Sequence, residues 1–259
     1  MSTVTGRLKE VKQPRGGYIN PKDFEVVMIN DGKVLNDNEN IHASIVGLAV
    51  DYLTRFMMGT EREKAFEISY KGANVAYKYG RKKAIEEANT YLGSIDNLED
   101  ISIISACKMV TFDAWYRNVS GAVKAQTADD MNPDKDTVEN IRIMVERGIN
   151  FWKKYGPIIS DGFSFEPNGY TKTVTAGDGD YLTRDTLWDF KVIKNKPTNK
   201  HTLQLLMYWI MGLHSGQRIF TDINKLGIFN PRLGEIYTLC TKNIPQEIVS
   251  AVEKEVICY

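Results

Sequence analysis

Along the chain the spacing of apolar positions changes near residue 156. Behind the polar cluster Asn36–Asn40, the residues Ile41, Ile45, Leu48, Ala49, Tyr52, Leu53 and Phe56 recur at helical spacing, and Gly59 ends the run. Further helical patterns cover about 61–92, 101–126 and 136–155, interrupted by Gly93 and by the turn-rich Met131–Asp136. Ahead of them lies a short extended segment, with a hairpin expected around Asn30-Asp31-Gly32. The first 155 residues are thus expected to be mostly helix.

Beyond Pro157 the period shortens. Ile159–Glu166, Tyr170–Gly177 and Thr186–Ile193, separated by turns, read as antiparallel strands. A helix over about 199–214 follows, then strands at 224–230 and 235–241 around Pro231–Gly234, then a last helix from about 245. The expected architecture is α/β (α+β), with a C-terminal mixed sheet wrapped by N-terminal helices that form one wall of a cleft. We expect the change at 156 to be a layer boundary inside one compact domain, dividing a helical part (1–156) from a core (157–259).

Composition narrows this little. The chain has 259 residues, and its 33 Lys plus Arg balance 33 Asp plus Glu, so no global basic excess marks a nucleic-acid binder. A basic rim around an acidic site would give the same total. The polar start and the lack of any apolar run of about 20 residues lead us to expect a cytoplasmic protein without a membrane partner. Cys107, Cys240 and Cys258 form no CxxC pair and are expected to be ordinary thiols. The Asn118-Val119-Ser120 sequon is expected to be accidental.

Three stretches carry chemistry. In Thr186–Ile193, alternation puts Leu187, Asp189, Lys191 and Ile193 on one face and Trp188, Phe190 and Val192 on the other. An acid and a lysine then share a face flanked by apolar residues, which suits either a structural ion pair or a metal site. Asp178 and Asp180 lie at the end of the preceding strand, close enough for one of them to face Asp189, and the glycines on either side of Asp178 are expected to let the backbone bend and an ion approach closely. Two converging carboxylates tolerate each other best around a divalent cation, although a solvated turn would look the same. On the helix after these strands, Lys200, Gln204 and Tyr208 fall at i, i+4 and i+8 on an otherwise apolar cylinder. They suit a cleft lining or internal core hydrogen bonds. Lys194, Lys196, Lys200 and His201 would form a basic rim for phosphates.

Taken together, Gly177-Asp178-Gly179-Asp180, Asp189-Phe190-Lys191 and Gln204–Tyr208 resemble the GxxD, DxK and QxxxY motifs of the PD-(D/E)xK nuclease superfamily, in its RecB-like exonuclease branch. The resemblance covers about 157–240. It implies a restriction-endonuclease-like mixed sheet flanked by helices and a metal-dependent hydrolysis of DNA, exonucleolytic in this branch's manner. It further implies that Asp180, Asp189 and the main-chain carbonyl of Phe190 hold Mg2+ or Mn2+, that Lys191 positions and polarises water, and that Gln204, Tyr208 and Lys200 align the nucleic acid. The branch's additional early-helix ligand matches best at Gly47–Asp51, so Asp51 is a candidate beside an ordinary Asp51–Arg55 ion pair. Glu146 and Glu166 are further candidates.

The chain carries no helicase motif, so a stand-alone nuclease-like domain is expected. A non-hydrolysing nucleic-acid binder and a restriction-type endonuclease are the competing functions. His42 and His214 are expected to be surface or capping residues, His201 to lie at the cleft, and Trp115, Tyr116, Phe151 and Trp152 to be core.

Overall fold

The structure, a computed structural model, describes residues 2–123 and 127–259. Its strands are β1 (Ser2–Thr3), β2 (Glu25–Met28), β3 (Ser160–Phe163), β4 (Val174–Ala176), β5 (Gly179–Leu182), β6 (Thr186–Phe190), β7 (Lys225–Asn230) and β8 (Glu235–Cys240). Its helices are α1 (Val4–Glu10), α2 (Ala43–Met57), α3 (Arg62–Ala65), α4 (Glu67–Lys78), α5 (Ala84–Gly93) and α6 (Asp100–Met109), then α7 (Asp113–Arg117), α8 (Val119–Ala122), α9 (Lys135–Tyr155), α10 (Asn199–Ser215) and α11 (Gln246–Ala251). The α/β (α+β) class and the mixed, helix-flanked sheet are as expected. The chain divides into two units, one formed by 2–29 with 151–259 and one by 30–150.

The first unit is built on a six-stranded sheet of order β2-β8-β7-β6-β5-β3, in which only β6 and β7 run parallel. Every residue of β6 is buried, as a central strand rich in aromatic and β-branched neighbours requires. Strand alternation gives the sheet two different faces. On one, Tyr181, Trp188 and Phe229 meet the end of α9, where Phe151 stacks on Phe229 at 4.0 Å and meets Trp188 edge-on at 4.8 Å. On the other, Leu182, Leu187, Leu226 and Ile228 share one core with Leu203, Leu206, Met207 and Ile210 of α10.

The second unit is helical. Within it α2 packs on α6, and α4 on α5 and α7. The expected single helix over 61–92 is three: α3 and α4 part at Phe66 (φ -107°, ψ 20°), and Gly80 takes a left-handed backbone (φ 98°) after α4 and ends it. The expected helix over 101–126 is also broken. Buried Asp113 accepts hydrogen bonds from Tyr52 (2.6 Å) and Ser69, and Asn118 Oδ1 accepts from the Gly121 N–H at 3.2 Å to start α8; residues 124–126 lie outside the described residues. Asn118 therefore serves as a helix cap.

Other expectations need correction. No hairpin forms at Asn30–Gly32: β2 pairs with β8, while Asp31 accepts from the Lys33 N–H (3.0 Å) and from Arg147 (2.7 Å), turning the chain away. The segment 170–177 supplies only β4, which pairs with β1 in a separate parallel ribbon. Tyr116 is 50% exposed, because its neighbour Trp115 takes the inward position and consecutive helical residues point about 100° apart. Among the described residues no helix is long and apolar enough to cross a membrane.

Candidate functional site

Asp180 lies inside β5 rather than at the end of a preceding strand. The antiparallel register pairs Tyr181 with Trp188 and Leu182 with Leu187. Continued by one residue it sets Asp180 opposite Asp189, on the face shared by Leu182 and Leu187. The Phe190 N–H donates to Asp180 Oδ2 at 2.8 Å, which fixes the first carboxylate against the second strand. Both acids therefore point to the α10 side of the sheet. The flanking glycines have a different role from the one expected. A Cβ on Gly177 would meet Val4 at 2.6 Å, and one on Gly179 would meet the Phe163 ring at 2.0 Å, so close packing demands them.

Asp189 is 1% exposed, and Lys191 Nζ lies 2.9 Å from its Oδ1. Its other oxygen, Oδ2, is buried without a hydrogen-bond partner. A buried unsatisfied carboxylate oxygen costs about 1–3 kcal/mol or more, so the ion pair leaves half of this group unprovided for. The structural ion pair foreseen from the sequence is present, but it does not complete the site.

On α10, Gln204 Nε2 donates to the Tyr208 hydroxyl at 2.8 Å. Burial first and the negative charge of Asp180 next push the Tyr208 hydroxyl far above the ordinary tyrosine range; the Gln204 hydrogen bond opposes them, and Asp189 and Asp178 add smaller upward contributions. That electrostatic signature sets Tyr208 toward the acids. His201, one turn before Gln204, has its pKa lowered by burial and by Lys191, against a smaller opposite pull from Asp189. Its Nδ1 accepts from the Thr198 N–H at 2.9 Å, so the ring also closes the start of the helix.

Lys200 is exposed and does not join the Gln204–Tyr208 pair. It lines a cavity of about 790 Å3 together with Lys196 and with Lys22, a residue to which no local pattern in the sequence points. The other candidates are engaged elsewhere. Asp51, in the unit 30–150, is held by Arg55 through bonds of 3.0 and 3.2 Å. Glu146, in the same unit, pairs with Lys33. Glu166 is exposed and lies beyond the end of β3, not on it. His214 pairs with Glu253 at 3.0 Å, and His42 caps α2 through its side chain.

Among the described residues, no three His, Cys, Asp or Glu side chains are gathered as a metal cluster. The donors at hand are two carboxylates on adjacent strands, one with an unsatisfied buried oxygen. This set fits Mg2+ or Mn2+, which are held by one or two carboxylates and complete their shells with water and substrate oxygens. No protein-family model, curated protein or solved structure matches the chain.

Proposed function

We propose that the chain is a metal-dependent nuclease acting on DNA, of the exonuclease kind that its three motifs resemble. The observation that carries this reading is Asp189: a buried carboxylate opposite Asp180, ion-paired on one oxygen and unsatisfied on the other. A purely structural pair gains nothing from a second acid across the strand, whereas a cation site needs both.

Asp180, Asp189 and the Phe190 carbonyl would hold Mg2+ or Mn2+. When bound, the ion supplies Lewis acidity to the phosphate and to water. Asp189 holds Lys191 in place, and the ammonium can then donate to the attacking water or to a phosphoryl oxygen. Tyr208 stays protonated across the working pH range because burial and the neighbouring acids oppose its ionisation. Its oxygen accepts from Gln204, leaving its own proton to donate to the nucleic-acid backbone. Both residues therefore position substrate and neither acts as a base.

The test is incubation of linear and covalently closed circular DNA with the protein in Mg2+ or Mn2+, against a chelator control. Metal-dependent loss of the linear form alone supports the exonuclease reading. Cutting of the circle makes it an endonuclease, and no hydrolysis of either with either ion overturns the proposal.

A further inference from the structure

Lys22, Lys196 and Lys200 converge on the cavity of about 790 Å3 at the start of α10. Among the described residues none of the three has an ion-pair partner, and no acidic side chain lines the cavity. The rest of the lining includes the apolar Val26 and Pro197 and the mostly buried Tyr237, whose hydroxyl is already bonded to Glu235. We infer that this cavity is a phosphate-binding subsite that holds the nucleic-acid strand away from the point of cleavage. The inference rests on the nuclease reading only for the identity of the polymer.

Three arguments support it. Like charges gathered without counterions are stabilised by an anion, and lysines, being compact point charges, suit phosphate oxygens without requiring the planar fork that carboxylates favour. The volume falls within the roughly 300–1,000 Å3 of small-ligand sites, and Val26, 48% exposed, offers an apolar surface to a sugar.

The sheet then ties the cavity to the acids. Asp189 pairs with Ile228, Ile228 with Tyr237, and Tyr237 with Val26, so one transverse row runs from the carboxylate across β6, β7, β8 and β2 to the cavity wall. At about 4.8 Å per strand, Tyr237 lies about 10 Å and Val26 about 14 Å along that row from Asp189. With one phosphate per 3.4 Å of duplex axis on each strand, the subsite falls roughly three to four nucleotides from the scissile phosphate.

The N-terminal segment is held in place for this task. Gln13 Nε2 donates to the Asn199 carbonyl at 3.2 Å and Thr202 Oγ1 to the Ile19 carbonyl at 2.7 Å, so the stretch before Lys22 is docked on the first turn of α10.

The experiment measures binding of labelled linear DNA by fluorescence anisotropy in chelator, where no turnover occurs, over a range of salt concentrations. The proteins are wild type, the double variant Lys22→Gln/Lys196→Gln, and Lys254→Gln as an exposed control elsewhere. Loss of two phosphate contacts should lower affinity roughly 25- to 60-fold at 0.1 M salt and reduce the salt slope by about 1.4 to 1.8. If the double variant behaves like Lys254→Gln, the subsite is refuted. Closed circular DNA as competitor distinguishes the phosphate sources: full competition means an internal phosphodiester, and competition by linear DNA alone means a terminal phosphate; either supports the subsite. A wild type that shows this binding but never hydrolyses DNA with metal loses the nuclease reading and keeps the subsite.

Discussion

Replacing Asp189 with Asn keeps the shape of the side chain and removes one charge, so it separates a metal site from a structural ion pair. In the metal-free protein Lys191 attracts Asp189 across 2.9 Å. At an effective dielectric near 20 this contact is worth about 6 kcal/mol, while repulsion from Asp180 at a cross-strand separation of about 5 Å returns about 3 kcal/mol. Desolvation of a carboxylate with one unsatisfied oxygen costs several kcal/mol more. These contributions nearly cancel, and Asp189→Asn should change metal-free stability by less than about 1 kcal/mol. Metal should act differently on the two proteins. At a concentration 100 times its dissociation constant, Mg2+ stabilises the wild type by about 2.7 kcal/mol. That corresponds to roughly 5–10 °C in Tm for a chain of this size and should be largely absent from the variant. Thermal melts with Mg2+ and with chelator read both quantities. Should Asp189→Asn lose more than about 3 kcal/mol without metal while Mg2+ shifts both proteins equally, Asp189 is half of a structural pair with Lys191.

Lys191→Met should abolish turnover yet lower DNA affinity in chelator by no more than about tenfold, the most that one phosphate contact contributes at 0.1 M salt; a loss of binding as large as the loss of turnover would make it an anchor instead. Tyr208→Phe and Gln204→Ala should cut kcat/KM at least tenfold with a Tm change below about 3 °C, and the wild-type pH–rate profile should show no tyrosine limb below about pH 10; variants that mainly lower Tm would make the pair a core contact. In the helical unit, the Arg147 hydrogen bonds hold the Asp31 carboxyl below its usual range against the opposing effect of burial, with a lesser contribution from the Lys33 N–H. A depressed folded-state pKa stabilises above the unfolded value and loses that contribution as the pH falls through the folded one. Asp31→Asn should therefore cost about 1–2 kcal/mol at pH 7, and the gap to wild type should close in urea titrations below about pH 4; a gap that does not change with pH would refute the ion-pair account.

The sheet-and-helix order was legible because long apolar runs at a fixed period report burial directly: α2, α9, α10, β6, β7 and β8 all lie within a few residues of where the pattern puts them. Strand β5 was not legible, because Gly179-Asp180-Tyr181-Leu182 is short and opens on two residues that favour turns. It forms by pairing with β3 and β6, and no local signal specifies that pairing. The juxtaposition of Asp180 with Asp189 was half legible. Alternation gave the face of Asp189, but the register that sets the two acids opposite each other comes from the turn between the strands. Lys22 was not legible at all. Its place at the cavity depends on Gln13 and Thr202 docking a distant segment on α10, a contact that has no periodic trace.

The two faces of the sheet explain why the unsatisfied oxygen can persist. Behind β6, Trp188, Phe151 and Phe229 are stacked or edge-packed at 4.0–4.8 Å, a dense aromatic layer that holds the strand rigidly whatever its other face carries. On the α10 side the core is aliphatic as far as Leu182 and Leu187 and then turns polar, in strand order, at Asp180 and Asp189. A buried charge at the edge of a soft core would be relieved by a local shift of the backbone. Here the Phe190 N–H is committed to Asp180 and the Lys191 N–H to the Phe229 carbonyl at 2.9 Å, so the end of the strand cannot move without breaking both bonds. The carboxylate pair is therefore kept in its costly geometry by packing on the opposite face. That arrangement is expected where the cost is recovered by a bound cation and is wasteful where the acid only pairs with a lysine.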